Sequence, residues 1–225
     1  MVVEHCAFRR ARRPEQVEAR RAAILDAAVA MLRERPVAEI SLRELSERVG
    51  LAKSNVLRYF DSREAIFLEV LDRLWGEWLD GLEVEIAGLS EPAEGTRREG
   101  ELGRALAAAM LRDPVLCELQ ASMAGVLERN ISLDVARSFK QRSLGNMRRI
   151  AGLVRERLPY LGDDEALRFA GASGMLLSGM WPHMRPADSV ITALAELGVA
   201  DLPAVATDVF TQSLVDLLVG LRARR

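Results

Sequence analysis

The apolar residues of this chain recur at the spacing of amphipathic helices along most of its length. Over Glu15–Glu34 they form one stripe, spaced i, i+4, i+7 and i+8 as on one face of a helix. No segment keeps the strict alternation of a half-buried strand, and no internal repeat is evident. A stretch rich in Gly, Glu and Pro at 88–101 predicts a loop. The pattern therefore predicts an all-α protein of about nine helices.

Start and stop signals predict several short helices near the N-terminus. The segment Ser41–Glu44 is a capping box, in which a serine hydroxyl and a glutamate satisfy backbone amides at a helix start. Gly50 ends that second helix, and a third helix is predicted over about Lys53–Tyr59. Either Asp61 or Ser62 is expected to cap a fourth, longer helix.

The two parts of the chain that this pattern predicts differ in charge. We expect an N-terminal unit at 1–64, of which 1–14 form a flexible basic arm, and a larger helical bundle at 65–225. The formal net charge of the chain is −2, but residues 1–63 contain 13 Lys and Arg against 9 Asp and Glu. The overall charge argues against a polyanionic partner. The N-terminal unit is basic and the remainder is acidic, however, so the N-terminal unit by itself suits such a partner.

Composition disfavours several classes of protein. Two isolated cysteines, Cys6 and Cys117, predict a reducing cytoplasm and give no metal-binding pattern. No signal peptide is recognisable and no apolar stretch approaches the length of a membrane-spanning helix, so we expect no membrane partner. With His5 and His183 as the only histidines and no nucleophile–base or phosphate-loop pattern, we expect no catalytic residues, metal or cofactor.

The two short helices around Gly50 match the arrangement of a helix-turn-helix, whose second helix enters the major groove of DNA. On periodicity alone, a solvated helical hairpin explains them as well. The residues are more specific, since VGLAKSNVLRYFDSREAIF at 49–67 resembles the signature of the TetR family of bacterial transcriptional regulators. The Gly, the Lys, the Tyr-Phe pair and the Ser-Arg-Glu triplet stand at the family's spacing. The resemblance is strong over Glu15–Leu71 and only general beyond it.

The resemblance and the side-chain chemistry together predict a set of DNA contacts. Lys53 and Tyr59 suit backbone phosphates, and Arg63 resembles the family's phosphate-clamping basic residue. Arginine pairs well with guanine and asparagine with adenine, so polar residues of the third helix are expected to read bases. For the arginines, the alternative is an ordinary solvated surface. The predicted DNA-binding residues are Arg43, Lys53, Ser54, Asn55, Arg58, Tyr59 and Arg63.

For the body, the resemblance implies an interior cavity for a small-molecule effector and a two-fold homodimer built on the last two long helices. Small residues in 163–181 and an apolar face in 203–222 fit such an interface, although an intramolecular core explains them too. An apolar or mildly cationic effector is expected, because few polar residues are available inside. The predicted ligand-binding residues are Trp75, Trp78, Met123, Phe139, Phe169, Met175 and Trp181.

These inferences predict a ligand-responsive transcriptional regulator. It is expected to repress by binding palindromic double-stranded operator DNA as a homodimer, and to be released by a small molecule. Two alternatives remain open at this point. One is a helical small-molecule-binding or interaction scaffold that does not bind DNA, and the other is an enzyme.

Overall fold

The computed structural model describes residues 14–89, 97–199 and 201–224, and all regular elements in those ranges are helical. The all-α prediction is confirmed, with ten α-helices in place of about nine. Apart from residue 14, the predicted basic arm lies outside the described residues. The α-helices are α1 Pro14–Leu32, α2 Leu42–Arg48, α3 Lys53–Val56, α4 Arg63–Ala87, α5 Arg97–Leu111, α6 Pro114–Ser122, α7 Leu133–Arg157, α8 Asp163–Met184, α9 Asp188–Glu196 and α10 Leu202–Ala223.

The capping box before α2 is present as predicted. The Ser41 hydroxyl accepts from the Glu44 amide at 3.2 Å, and the Glu44 carboxylate accepts from the Ser41 amide at 2.9 Å. Hydrogen bonds from the Ser41 side chain and backbone lower the pKa of Glu44 to about 2. Gly50 then turns the chain with a φ of +65°, a conformation that glycine adopts without strain.

Helix α3 is shorter than predicted and ends at Val56, not Tyr59. Beyond it the backbone tightens, because the amide of Tyr59 bonds three residues back to the carbonyl of Val56 at 2.9 Å. Phe60 directly follows this tighter turn and is buried in the core, with 5% of its surface exposed. Ala52 precedes α3 and provides no side-chain cap for it.

Helix α4 runs without a break through two hydrophobic clusters. Of the two predicted caps it uses Ser62, whose hydroxyl accepts from the Ala65 amide at 3.1 Å. Ile66 and Leu71 pack with α1–α3, whereas Leu82 and Ile86 pack with the bundle. Apolar packing therefore continues across residue 64, and the boundary at 64/65 stays a prediction.

The bundle is centred on α5, α8 and α10, with α7 packed between α8 and α4. Residues 97–101 begin α5, so the prediction that the loop extends to residue 101 was wrong. Arg and Glu are good helix formers, and the fully buried Glu99 accepts hydrogen bonds from Tyr160 and from Arg222.

Helix α8 continues through Pro182 to Met184, and the proline, which has no N–H, removes one backbone hydrogen bond near the end of the helix.

Within the described ranges, α10 is the one helix long and apolar enough to cross a membrane by length and composition. The sequence-based expectation concerned uninterrupted apolar stretches, and Asp208 and Asp216 interrupt α10. Phe210, Leu214 and Leu218 are nevertheless fully buried against other helices of the bundle. A helix buried in the core of a soluble protein has the same length and composition.

The closest approach of α5 to α10 depends on Gly103. A Cβ atom at this position would lie 2.9 Å from the Cα of Val215, which is backbone and cannot move aside alone. We expect Gly103→Ala to lower the free energy of unfolding by about 1–3 kcal/mol through overpacking. Gly81→Ala in α4 is the matched control, because nothing lies within 4 Å of its added Cβ. It should raise stability by roughly 0.5–1 kcal/mol. Urea denaturation measures both, and shifts of the same sign would contradict this account.

Candidate nucleic-acid interface and effector cavity

We call residues 42–61, which comprise α2, the turn at Gly50, α3 and the turn after α3, the reader. Its outer face carries most of the polar residues predicted to contact DNA, and its inner face is apolar. Val56 and Phe60 are buried and Tyr59 is half-buried, whereas the other predicted contacts on and just after α3 are exposed. No ion pair of Lys53 or Arg58 occurs within the described part of the chain, so their charges face solvent. The exposed set is Lys53, Ser54, Asn55 and Arg58.

Arg43 on α2 is also exposed, with 84% of its side chain accessible, and it pairs with Glu47 at 2.9 Å. The hydrogen bond to Glu47 raises the pKa of Arg43. An exposed pair one helical turn apart is weak. A phosphate can therefore replace Glu47 as the partner of this guanidinium.

Arg63 has a different place from the one predicted. Its side chain is 16% exposed and donates inward to the carbonyls of Val37 and Ile40 and, at 2.9 Å, to Glu64. The ring of Phe67 lies 5.1 Å from the guanidinium carbon. Three of the five guanidinium N–H donors are thereby used, two of them by the segment that leads into α2. The predicted phosphate contact of Arg63 stays a prediction. Arg63 positions the reader against α4.

A second positioning arginine, Arg21 on α1, was missed at the sequence level. It donates to the backbone carbonyl of Tyr59 and to both carboxylate oxygens of Glu69, at 2.6 and 2.5 Å. Its guanidinium carbon lies 4.3 Å from the centroid of the Phe60 ring. Arg21 thus joins the end of the reader to α1 and α4. Its partners are 38 and 48 residues away, so no local pattern in the sequence reveals them.

Tyr59 is half-buried beside a cleft of about 290 Å³ between the reader and α7. Across the same junction, the Ser132 hydroxyl donates to Asp61 at 3.0 Å. Phe139 of α7 lines this cleft and also the larger cavity described next. The reader therefore contacts the bundle through α7 as well as through α4.

A cavity of about 490 Å³ opens between α4, α6, α7 and α8, a size typical of small-molecule sites. Four of the seven predicted ligand-binding residues line it, namely Trp75, Met123, Phe139 and Met175. The other three predicted residues are packed elsewhere. Trp78 donates to the carbonyl of Ala109 at 2.9 Å, Trp181 donates to Glu118 at 3.3 Å, and Phe169 is 2% exposed in the core.

The cavity also has polar residues that the sequence did not single out. Gln120 is 7% exposed, accepts from the Trp75 indole at 3.3 Å and donates to Ser178 at 3.2 Å. Two charged residues line the cavity, and both are paired: Asp72 with Arg142 and Lys140 with Glu128, each at 2.5 Å. The lining therefore presents compensated charges and one buried amide.

Among the described residues no group of three or more metal-ligating side chains occurs. Cys117 is buried and donates to the carbonyl of Met110 at 3.1 Å. Burial raises its pKa to about 12, with a smaller contribution from Asp113. Cys117 is therefore an inert thiol of the core.

Two family models match this chain along nearly its whole length. Residues 24–70 match the bacterial regulatory proteins of the tetR family, and residues 72–225 match the tetracyclin repressor-like C-terminal domain. The second match alone covers more than half of the chain. The protein belongs to the TetR family. The resemblance noted in the sequence is thereby confirmed, and the two matches meet inside α4.

Curated relatives of this TetR-family chain are similar to it over part of its length. The regulator EthR of Mycobacterium tuberculosis is 34% identical over 91 residues, which are 40% of this chain and 40% of EthR. An uncharacterized HTH-type regulator of the same species is 37% identical over 71 residues, 32% of this chain and 35% of its own. The matches thus span well under half the length of these curated relatives.

Solved structures with the same fold cover most of this TetR-family chain at low identity. FadR of Bacillus subtilis, in complex with stearoyl-CoA, has a TM-score of 0.52 and 16% identity over 88% of this chain and 97% of that one. The fatty acid degradation regulator FadR of Bacillus halodurans has a TM-score of 0.51 and 15% identity over 86% and 97%. At these identities the likeness establishes the fold: a helix-turn-helix unit followed by a helical bundle.

The inward geometry of Arg63 gives a stability test for this TetR-family reader. We expect Arg63→Ala to lower the free energy of unfolding by about 2–3 kcal/mol, because two half-buried carbonyls lose a charged donor. Arg63→Lys should restore only part of this loss, since one ammonium cannot match the fork of a guanidinium. The control is the exposed Arg58→Ala, expected to stay within about 0.5 kcal/mol. Equal stability of the Arg63→Ala and Arg58→Ala proteins in urea would refute the positioning role.

Proposed function

We propose that this protein is a cytoplasmic transcriptional regulator without enzymatic activity of its own. It binds operator DNA through the reader as a homodimer and is controlled by a small molecule in the cavity between α4, α6, α7 and α8. The main support is the geometry of the reader. Lys53, Ser54, Asn55 and Arg58 are exposed on and just after the short helix α3. Arg21 and Arg63 bind backbone carbonyls on either side of that helix.

The exposed residues divide by the DNA groups they suit. Lys53 carries a compact charge for a phosphate, and Arg43 has only a weak partner to exchange for one. Asn55 and Arg58 have the donors and acceptors that pair with the edges of adenine and guanine. The phosphate contacts supply affinity that salt weakens, and the base contacts supply preference.

A homodimer formed through α8 and α10 completes the proposal. Val205 and Val209 are 47% and 48% exposed, so apolar surface is left uncovered on α10. In a two-fold dimer the same patch serves both subunits. Two readers about 34–36 Å apart would then enter successive major grooves and read a palindrome.

Effector control is proposed to act through the two connections between the cavity and the reader. Helix α4 carries Asp72 and Trp75 of the cavity wall and begins next to the reader, and Phe139 separates the cavity from the cleft beside Tyr59. A molecule that binds better when these elements adopt another arrangement would change the reader spacing. It can shift the equilibrium only by its difference in affinity between the two arrangements.

Selection of the purified protein against a random pool of double-stranded DNA at near-physiological salt tests the function. Recovery of a palindrome with half-sites about one helical turn apart is the expected result. If no sequence is enriched at low or moderate salt, the proposed operator binding fails for the ligand-free protein. Sedimentation of the protein without DNA reports the dimer separately.

Two variants of the reader separate phosphate contacts from base contacts. Lys53→Ala should weaken binding to all recovered sequences about equally and reduce the salt dependence by about one phosphate. Arg58→Ala should cost about 1–3 kcal/mol on the preferred sequence and relax the preference at one position. Competition binding at two salt concentrations measures both effects. The same loss of preference in both variants would contradict this division of roles.

The proposed coupling predicts a change in the distance between the two readers of a dimer. Spin labels on a cysteine at the exposed position Ala52, in a Cys6→Ser and Cys117→Ser background, report this distance by pulsed electron resonance. Compounds found by a thermal-shift screen should move the distance away from the spacing of about 34–36 Å that DNA requires. An unchanged distance at saturation, together with unchanged DNA affinity, would rule out this route of control.

A further inference from the structure

The wall of the effector cavity has one buried side chain with hydrogen-bonding capacity to spare. An indole N–H can only donate, so the bond from Trp75 fixes the amide oxygen of Gln120 on its side and the amide nitrogen toward Ser178. The one hydroxyl proton of Ser178 is shared between two backbone carbonyls, that of Gln120 at 3.1 Å and that of Gly174 at 2.9 Å, so the hydroxyl oxygen is left to accept from Gln120. Gln120 is thereby held in one orientation.

This orientation leaves part of the Gln120 amide for a ligand. A primary amide has two N–H donors and an oxygen that accepts two bonds. The contacts with Trp75 and Ser178 use one donor and one acceptor position. One N–H and one acceptor position remain on a side chain that is 93% buried and lines the cavity. A buried polar group of this kind favours a ligand that completes its bonds.

The charges of the cavity wall do not favour an ionic ligand. The Asp72 carboxylate is 22% exposed and paired with Arg142 at 2.5 Å, and the Lys140 ammonium is paired with Glu128 at 2.5 Å. No unpaired charged side chain lines the cavity within the described residues. A cation would have to displace Arg142 from the mostly buried Asp72 carboxylate, and an anion would have to displace Glu128 from Lys140, whose side chain is 51% exposed. Neither ion finds a free countercharge in the lining, whereas a neutral ligand needs none.

The rest of the lining suits a flexible apolar body. Met123, Met147 and Met175 contribute unbranched side chains that adapt to irregular shapes, and Phe139 and Leu144 add further apolar surface. Met175 and Leu144 are exposed, at 78% and 46%, on the open side of the cavity. An apolar molecule can therefore enter between α7 and α8.

We infer that the effector is an uncharged, mainly apolar molecule whose one amide or hydroxyl group hydrogen-bonds to Gln120. This inference rests on the proposed function, in which this cavity holds the effector. It narrows the expectation from the sequence, which included mildly cationic molecules. The paired Asp72 is the reason, because its charge is already neutralised by Arg142.

Three probes with the same alkyl chain and different head groups test the inference on the unmodified protein. Isothermal titration at neutral pH compares decanamide, decanoate and decylammonium, each below its aggregation concentration. Decanamide should bind at least about tenfold more tightly than either ion. Equal affinities, tighter binding of an ion, or no binding of any probe would overturn the inference.

A pair of matched substitutions assigns the preference to Gln120. Gln120→Met keeps the size and removes the amide, and it should weaken decanamide about tenfold while leaving decanoate unchanged. Gln141→Met makes the same chemical change at an exposed position of α7 outside the cavity, and should leave both affinities within about twofold. Unchanged decanamide binding in Gln120→Met would overturn the assignment. If that variant does not fold, the head-group comparison on the natural sequence still decides.

Binding to the selected DNA is measured on the same preparations. If the protein binds DNA but shows no preference among head groups, the inference about the effector fails and the proposed reader stands. If the neutral probe is preferred but no DNA is bound, the cavity chemistry stands and the proposed regulatory function fails.

Discussion

The unbroken backbone of α4 is the constraint on which the rest of this structure depends. Its first turns complete the core under the reader, and its last turns belong to the bundle. Between them, Trp75 and Trp78 meet edge to face, with ring centroids 5.3 Å apart, and contact both hydrophobic clusters. A helix bonded from turn to turn cannot bend there without losing backbone bonds. In the proposed mechanism, a displacement at the cavity is therefore passed on as a movement of the whole reader.

The reader needs this external support because it contains little structure of its own. Helix α3 has four residues and no side-chain cap, far below the length at which a helix is stable alone. Arg21 and Arg63 compensate by binding backbone carbonyls on either side of it, at Tyr59 and at Val37 and Ile40. Guanidinium groups suit this task, since each provides several donors in a fixed plane. The apolar face of α3 and these two arginines together leave its polar face free for DNA.

The parts of this architecture that the sequence predicted are those determined by neighbours along the chain. The helical stripes, the capping box at Ser41 and the turn at Gly50 all follow from residues within a few positions. The inward bonds of Arg63 were not predicted, because in the sequence a basic residue at a helix start has the same appearance whether or not it binds a backbone carbonyl. Four of the seven predicted ligand-binding residues line the cavity. Bulky residues such as Trp75 and Trp78 have the same helical spacing, and their tertiary partners decide which of them lines the cavity: Trp75 bonds to Gln120 of α6 in the cavity wall, whereas Trp78 bonds to Ala109 of α5.

The two sites differ in how they treat charge, and this difference explains how one chain can bind two unlike partners. On the reader, Lys53 and Arg58 have no acidic partner among the described residues and stand in solvent, where a polyanion attracts them from a distance. Around the cavity, Asp72 and Lys140 are each matched by an opposite charge, which reduces long-range attraction and leaves shape and uncharged polar groups, among them the buried amide of Gln120, to select the ligand. Because the reader depends on salt and the cavity does not, ionic strength should alter DNA affinity while leaving the affinity for a neutral effector nearly unchanged.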